Sequence, residues 1–127
     1  MQVLIVDDQA AFRRAAARVV ARLPGFELVG EAESGEASVE AVRSLRPDLV
    51  LMDVHLPGIT GHEATRRILA EAGPADPPVI FLLSTYDAAD YSDQTSACGA
   101  SAYLAKADFG PTTLQAAWAA VRPDDVA

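Results

Sequence analysis

Cysteine, lysine and long apolar runs are all scarce in this chain. Cys98 is the only cysteine, which excludes an intramolecular disulfide and a cysteine-built metal cluster. Its neighbours Ala97, Gly99 and Ala100 mark a small buried position at a helix end rather than a reactive thiol. No apolar stretch approaches the roughly 20 residues that span a bilayer, so no membrane association is expected. The first strand-like run begins at Gln2, which leaves no place for a signal peptide, and the expected location is cytoplasmic. Neither Gly-x-Gly-x-x-Gly nor Gly-Lys-Ser/Thr occurs, which argues against a nucleotide- or flavin-binding module. Basic residues are few, 10 Lys plus Arg against 18 Asp plus Glu, for a net charge of −8. Such a surface repels nucleic-acid phosphates, and no basic block offsets it, so no nucleic acid is expected to bind this domain itself. Lys106 is the only lysine; every other basic side chain is arginine.

What is present is a regular alternation. The 127 residues, half of them apolar, suit one domain with one sheet covered on both faces. Apolar runs at 2–6, 27–32, 48–52, 78–83 and 101–104 read as buried parallel strands. Helical patterns fill the gaps. Segment 10–22 turns Phe12, Ala16, Val19, Val20 and Leu23 inward with Arg13, Arg14, Arg18 and Arg22 on the other side, and Pro24-Gly25 ends it. Segment 35–45 turns Ala37, Val39, Ala41, Val42 and Leu45 inward; 61–71 carries Ala64, Ile68 and Leu69; 111–121 opens on Pro111 and carries Leu114, Ala117, Trp118 and Val121. Segment 88–98 is poor in helix formers and apolar anchors, and a short or mobile helix is expected there. Strands alternating with helices give an α/β fold, (βα)5 with right-handed crossovers. The tail 123–127 reads as a frayed end or the start of a linker after a domain at 1–122.

Four polar positions stand at the carboxyl ends of these strands, where open α/β sheets bind ligands. Asp7 and Asp8 follow the first strand, Asp53 the third, Ser84 the fourth and Lys106 the fifth. Adjacent carboxylates are held ionised together when a cation sits beside them, and oxygen ligands suit Mg²⁺. Asp53 can act as a nucleophile toward phosphorus, Ser84 can donate to a phosphoryl oxygen, and Lys106 can neutralise one. Each also has a plainer role. Asp8 could cap the first helix, Asp53 could open the turn before Pro57-Gly58, Ser84 could share a cap with Thr85 or Asp87, and Lys106 could be a solvated charge.

Together the motifs Val-Asp-Asp, Met-Asp-Val-His-Leu-Pro-Gly with Gly61 beyond, Leu-Ser and Tyr-Leu-Ala-Lys resemble the receiver domain of bacterial two-component response regulators. The spacings of 45 residues from Asp8 to Asp53, 31 to Ser84 and 22 to Lys106 look like that family, from Gln2 to about Arg122. The resemblance implies a flavodoxin-like doubly wound sheet of strand order 2-1-3-4-5. It implies Asp53 as phosphoacceptor, taking its phosphoryl group from a sensor histidine kinase in a phosphorelay. It further implies Mg²⁺ on Asp8, Asp53 and the backbone carbonyl of His55, with Asp7 acting through water. Ser84 and Tyr103 would be switch residues, and helix 4, strand 5 and helix 5, residues 87–121, the output surface. Such a chain is a phosphorylated regulator rather than an enzyme, although it assists its own phosphotransfer and dephosphorylation. The motif style is similar to receivers joined to a helix-turn-helix DNA-binding domain, which would place the output in transcription regulation. A phosphorylation-dependent homodimer is a further expectation.

Some residues depart from the pattern. Ala107 stands where many receivers have proline, and a trans Lys106–Ala107 bond is expected because a cis bond before alanine costs about 2.5–4 kcal/mol. His55 is expected to point to solvent, although a pH-sensing or metal-binding role is open to it. Tyr86, two residues after Ser84, is expected to restrict the approach of water to an aspartyl phosphate. Two other functions compete. One is a Mg²⁺-dependent phosphatase with an aspartate nucleophile, which usually carries Asp-x-Asp where this chain has Asp7-Asp8-Gln9. The other is a receiver-like domain that acts only as a protein-interaction module.

Overall fold

A computed structural model describes residues 1–74, 76–85 and 98–121. The strands are β1 (Gln2–Val6), β2 (Glu27–Ala32), β3 (Leu49–Asp53), β4 (Val79–Ser84) and β5 (Ala102–Ala105). The helices among the described residues are α1 (Ala10–Ala21), α2 (Gly35–Leu45), α3 (Gly61–Ala72) and α4 (Pro111–Val121), the last being the segment 111–121 of the sequence reading. A 3-10 turn, Lys106–Asp108, follows β5. All strand pairs are parallel, in the order β2-β1-β3-β4-β5. The sheet is therefore doubly wound, as the resemblance implied.

Every residue of β3 and of β4 is buried, because both strands are central and covered on both faces. The period of two divides the core. Leu4, Val6, Val50, Met52, Ile80 and Leu82 meet Val39 of α2 and Ala64 and Ile68 of α3. Val3, Ile5, Leu49, Leu51, Phe81 and Leu83 meet Ala16 and Val20 of α1 and Leu114 and Trp118 of α4. Single apolar runs thus supply two cores, one on each side of the sheet.

Three strands lie one residue further along than their apolar runs. Pro78 has no N–H for the ladder, so β4 begins at Val79, whose N–H donates to the Asp48 carbonyl at 2.9 Å. Backbone pairing then runs on past the apolar residues, matching Asp53 with Leu83 and Ser84 with Ala105. Asp53 and Ser84 are consequently the last residues of their strands, held by the sheet itself. In α2 the inward face is Gly35, Ser38 and Val39, whereas Ala37 and Leu45 are exposed. The helix ends there with Arg46 in the left-handed region at φ 47, and Leu45 sits on the turn that leaves the core.

Ser34 caps α2 by accepting from the Ala37 N–H at 3.0 Å, and Thr60 caps α3 by accepting from the Glu63 N–H at 3.1 Å. The Lys106–Ala107 bond is trans. Cys98 is buried. No helix among the described residues is long and apolar enough to cross a membrane. The expected helix 88–98, apart from Cys98, and the tail 123–127 lie outside the described residues, as does Tyr86.

Candidate functional site

β1 and β3 are neighbours, and the chain leaves them toward opposite edges of the sheet, so a crevice opens at their carboxyl ends. Asp7 stands there with no exposed surface and Asp53 with 4%. Asp7 is fixed from three directions. Its N–H donates to the Ala32 carbonyl at 3.0 Å, its Oδ1 accepts from the Gln9 N–H at 2.8 Å, and its carbonyl accepts from Arg13 Nη1 at 2.6 Å. Asp53 Oδ1 accepts from the His55 N–H at 3.3 Å. Gln9, not Asp8, occupies the N-cap position of α1, and no side chain bonds there. The plainer role for Asp8 is therefore not the one it fills; its carboxylate is exposed beside the buried pair.

Lys106 enters from the turn after β5. Its Nζ lies 2.6 Å from Asp7 Oδ2 and 3.5 Å from Asp53 Oδ1, with a side chain only 10% exposed. The reading of Lys106 as a solvated charge fails on this geometry. One ammonium between two buried carboxylates leaves a negative excess. Burial first, and the Asp7 charge second, push the Asp53 carboxyl above the usual carboxylate range, while Lys106 and the His55 N–H pull it part of the way back.

That excess fits a hard cation. Carboxylate oxygens of Asp7, Asp8 and Asp53 all lie within 4.8 Å of one another. Asp7 Oδ2 is buried, with the Lys106 ammonium at 2.6 Å as its charged partner. An all-oxygen donor set of three carboxylates against one ammonium suits Mg²⁺ better than a softer metal.

Ser84 is fully buried at the end of β4. Tyr103 is half-buried on β5 and packs with the α2/α3 side of the sheet, pairing with Leu82 two residues before Ser84. Ser84 and Tyr103 thus share one face of neighbouring strands. His55 is exposed, as expected. The loop from Val54 to Thr60 is anchored by close backbone approach. The Ile59 N–H lies 3.4 Å from Glu36 Oε1, and a Cβ on Gly58, at φ +76, would stand 2.5 Å from the same carboxylate. A Cβ on Gly61 would collide with the Asp53 carbonyl oxygen and lie 2.9 Å from Val54 Cα. Both glycines are therefore needed for the loop to close over the end of β3.

Arg13 was expected on the outer side of its helix, yet its side chain is 13% exposed and turned toward the site. Besides the Asp7 carbonyl it meets Glu31 at 3.2 Å and Glu33 at 3.0 Å, tying α1 to the end of β2. The two glutamates flanking Ala32 were the available signal. Phe12, read only as a core residue, lies with its ring centroid 4.5 Å from Lys106 Nζ. Residues 87–97 of the expected output surface lie outside the described residues.

Comparison with known proteins bears on the family and the fold. The family model "Response regulator receiver domain" matches residues 3–119. The chain is 38% identical over 106 residues to the transcriptional regulatory protein DegU of Brevibacillus brevis, covering 84% of this chain and 44% of that protein. It is 49% identical over 69 residues to the response regulator GacA of Pseudomonas viridiflava, covering 54% of this chain and 32% of that one. Among solved structures, a two-component response regulator of the LuxR family from Aurantimonas sp. SI85-9A1 superposes with a TM-score of 0.84 at 30% identity, over 97% of this chain and 85% of the other. The chain spans about a third to somewhat under half of the length of these curated relatives.

Proposed function

Because the chain belongs to the response regulator receiver domain family, we propose that Asp53 accepts a phosphoryl group from a phosphohistidine of a sensor histidine kinase. The observation that carries this reading is the convergence of Asp7, Asp53 and the only lysine, Lys106, at the β1–β3 crevice. An Asp53 carboxylate oxygen attacks phosphorus as the bond to the imidazole nitrogen breaks. Charge then spreads over the equatorial oxygens, so the protein's task is positioning and positive charge. Lys106 is already held against Asp53 and needs only to exchange a carboxylate for a phosphoryl oxygen. Asp8, Asp53 and the His55 carbonyl, with Asp7 acting through water, would hold Mg²⁺, which would supply the remaining charge neutralisation.

Ser84, buried at the next strand end, donates its hydroxyl to the new phosphoryl oxygens. Tyr103 on the same sheet face then responds to the shift of Ser84, altering the surface around β5 and α4. The output follows from the relatives only as a reading. DegU is named a transcriptional regulatory protein, and we assign this chain a signalling role upstream of transcription, with its domain at residues 1–122 and its location in the cytoplasm. A phosphatase reading is not favoured, since the receiver family covers the chain from residue 3 to 119.

Intact-mass spectrometry after acetyl phosphate and Mg²⁺ tests the reading. Wild type gains one phosphoryl group that localises to Asp53, and Asp53→Ala gains none. Equal labelling of both proteins, or turnover of a generic phosphate ester without labelling, overturns it.

A further inference from the structure

Among the described residues, the Lys106 ammonium has two charged neighbours and an aromatic one. Asp7 and Asp53 hold it at 2.6 and 3.5 Å. The Phe12 ring covers it on another side, with 4.5 Å from Nζ to the centroid. Phe12 belongs to α1, and its ring meets that of Phe109, just past the turn that Lys106 opens, at 5.9 Å and tilted by 49°. Both ends of this aromatic pair are therefore tied to the elements that carry the site.

The face of a phenyl ring attracts an ammonium through its quadrupole, most strongly where water is excluded. Unlike a carboxylate, the ring is no ligand for a divalent metal ion, and its charge does not change when Asp53 is modified. Lys106 has a flexible stem of four carbons, and one of its two carboxylate partners, Asp53, is the group that is modified in the transfer. The ring is an uncharged neighbour that stays constant from the free carboxylate to the acyl phosphate.

We infer that Phe12, braced by Phe109, is a positioning residue for phosphoryl transfer, holding the Lys106 ammonium on the Asp7–Asp53 side of the crevice before the donor arrives. The inference rests on the reading of Asp53 as phosphoacceptor, and it concerns where the counter-charge waits rather than which residue is phosphorylated. The competing view is that Phe12 only fills space in the core beside α1, in which case an aliphatic side chain of similar size serves as well.

The single lysine makes the test clean. Protein labelled with ¹³C-lysine shows one side-chain Hε resonance, which in wild type lies upfield of its position in the denatured chain because of the ring current. Phe12→Leu returns that resonance toward the denatured position, and Phe12→Tyr keeps the upfield shift. With acetyl phosphate at saturating Mg²⁺, Phe12→Leu is labelled about three- to tenfold more slowly, the factor a cation–π contact carries, and Phe12→Tyr at the wild-type rate. A wild-type resonance without an upfield shift overturns the inference and needs no variant. Labelling of Phe12→Leu at the wild-type rate, or equal slowing of Leu and Tyr variants, overturns it as well. Absence of an Asp53 adduct on wild type instead removes the phosphoacceptor reading, and the positioning role with it, whatever the resonance shows.

Discussion

Asp53→Asn should make the protein more stable at neutral pH when divalent cations are removed. In the folded chain the Asp53 carboxylate is 4% exposed, has one oxygen within 4.8 Å of an Asp7 oxygen, and lies 3.5 Å from Lys106. With an effective dielectric of about 20, repulsion at 4.8 Å is about 3.5 kcal/mol and attraction at 3.5 Å about 4.7 kcal/mol. The two nearly cancel, so the desolvation of a second buried carboxylate, on the order of several kcal/mol, decides the balance. Asparagine keeps the shape, removes the charge and leaves Asp7 and Lys106 as a one-to-one pair. A net gain of about 1 kcal/mol is expected, or about 4 °C in Tm for a chain of this length.

The pH dependence gives the sign independently. Burial and Asp7 hold the Asp53 carboxyl above its ordinary value, so the folded chain binds that proton more tightly than the unfolded chain. The stability contributed by the protonated acid is full below the unfolded value and is lost as pH rises through the folded one. The advantage of asparagine therefore opens above that range and closes in acid. Calorimetric melting of both proteins in chelator, from about pH 3 to about pH 8, reads it directly. Added Mg²⁺ should then raise the wild-type Tm more than that of the variant. A variant less stable than wild type at neutral pH, or a difference that widens in acid, would refute the reasoning.

Two further substitutions probe the frame around the site. Arg13→Ala removes the donor to the Asp7 carbonyl and both glutamate contacts, and a loss of about 2 kcal/mol is expected, seen as a lower urea midpoint; an unchanged midpoint would show Arg13 to be a surface charge after all. Gly61→Ala places a methyl against the Asp53 carbonyl and Val54 backbone, which cannot retreat from the sheet end. It should cost about 2–3 kcal/mol in chemical denaturation, and a silent substitution would refute the close packing of this loop.

The sheet was legible because β3 and β4 are buried on both faces and so read as unbroken apolar runs. The convergence of the Asp7–Asp8 pair, Asp53 and Lys106 was legible because each directly follows such a run, and a parallel sheet gathers the carboxyl ends of its strands at one edge. What the sequence obscured depends on contacts between distant segments. Arg13 looks outward by helical period, but Glu31 and Glu33, which turn it inward, belong to another element. The strand ends were misplaced by one residue because pairing between backbones, and the missing N–H of Pro78, set them rather than hydropathy. Phe12 was visible as apolar, yet nothing in its own neighbourhood shows that a lysine almost a hundred residues away comes to rest on it.

Charge balance connects the stability of this site with its proposed use. Lys106 alone cannot neutralise Asp7 and Asp53, and Asp8 at the rim adds to the deficit. The residual negative charge favours a divalent cation, and a cation there would favour an incoming anionic phosphoryl group in a place where three carboxylates would otherwise repel it. Phosphorylation of Asp53 replaces one negative charge by about 1.5 to 2 and adds acceptor oxygens. Of the nearby groups, Lys106 already carries the matching charge and Ser84 the matching hydroxyl, each fixed on a strand end beyond Asp53. The new charge is therefore drawn toward β4 and β5 rather than toward β1, where Asp7 repels it. That asymmetry gives the proposed switch its direction, and it predicts that Tyr103, on β5, responds before any group on α1 or α2.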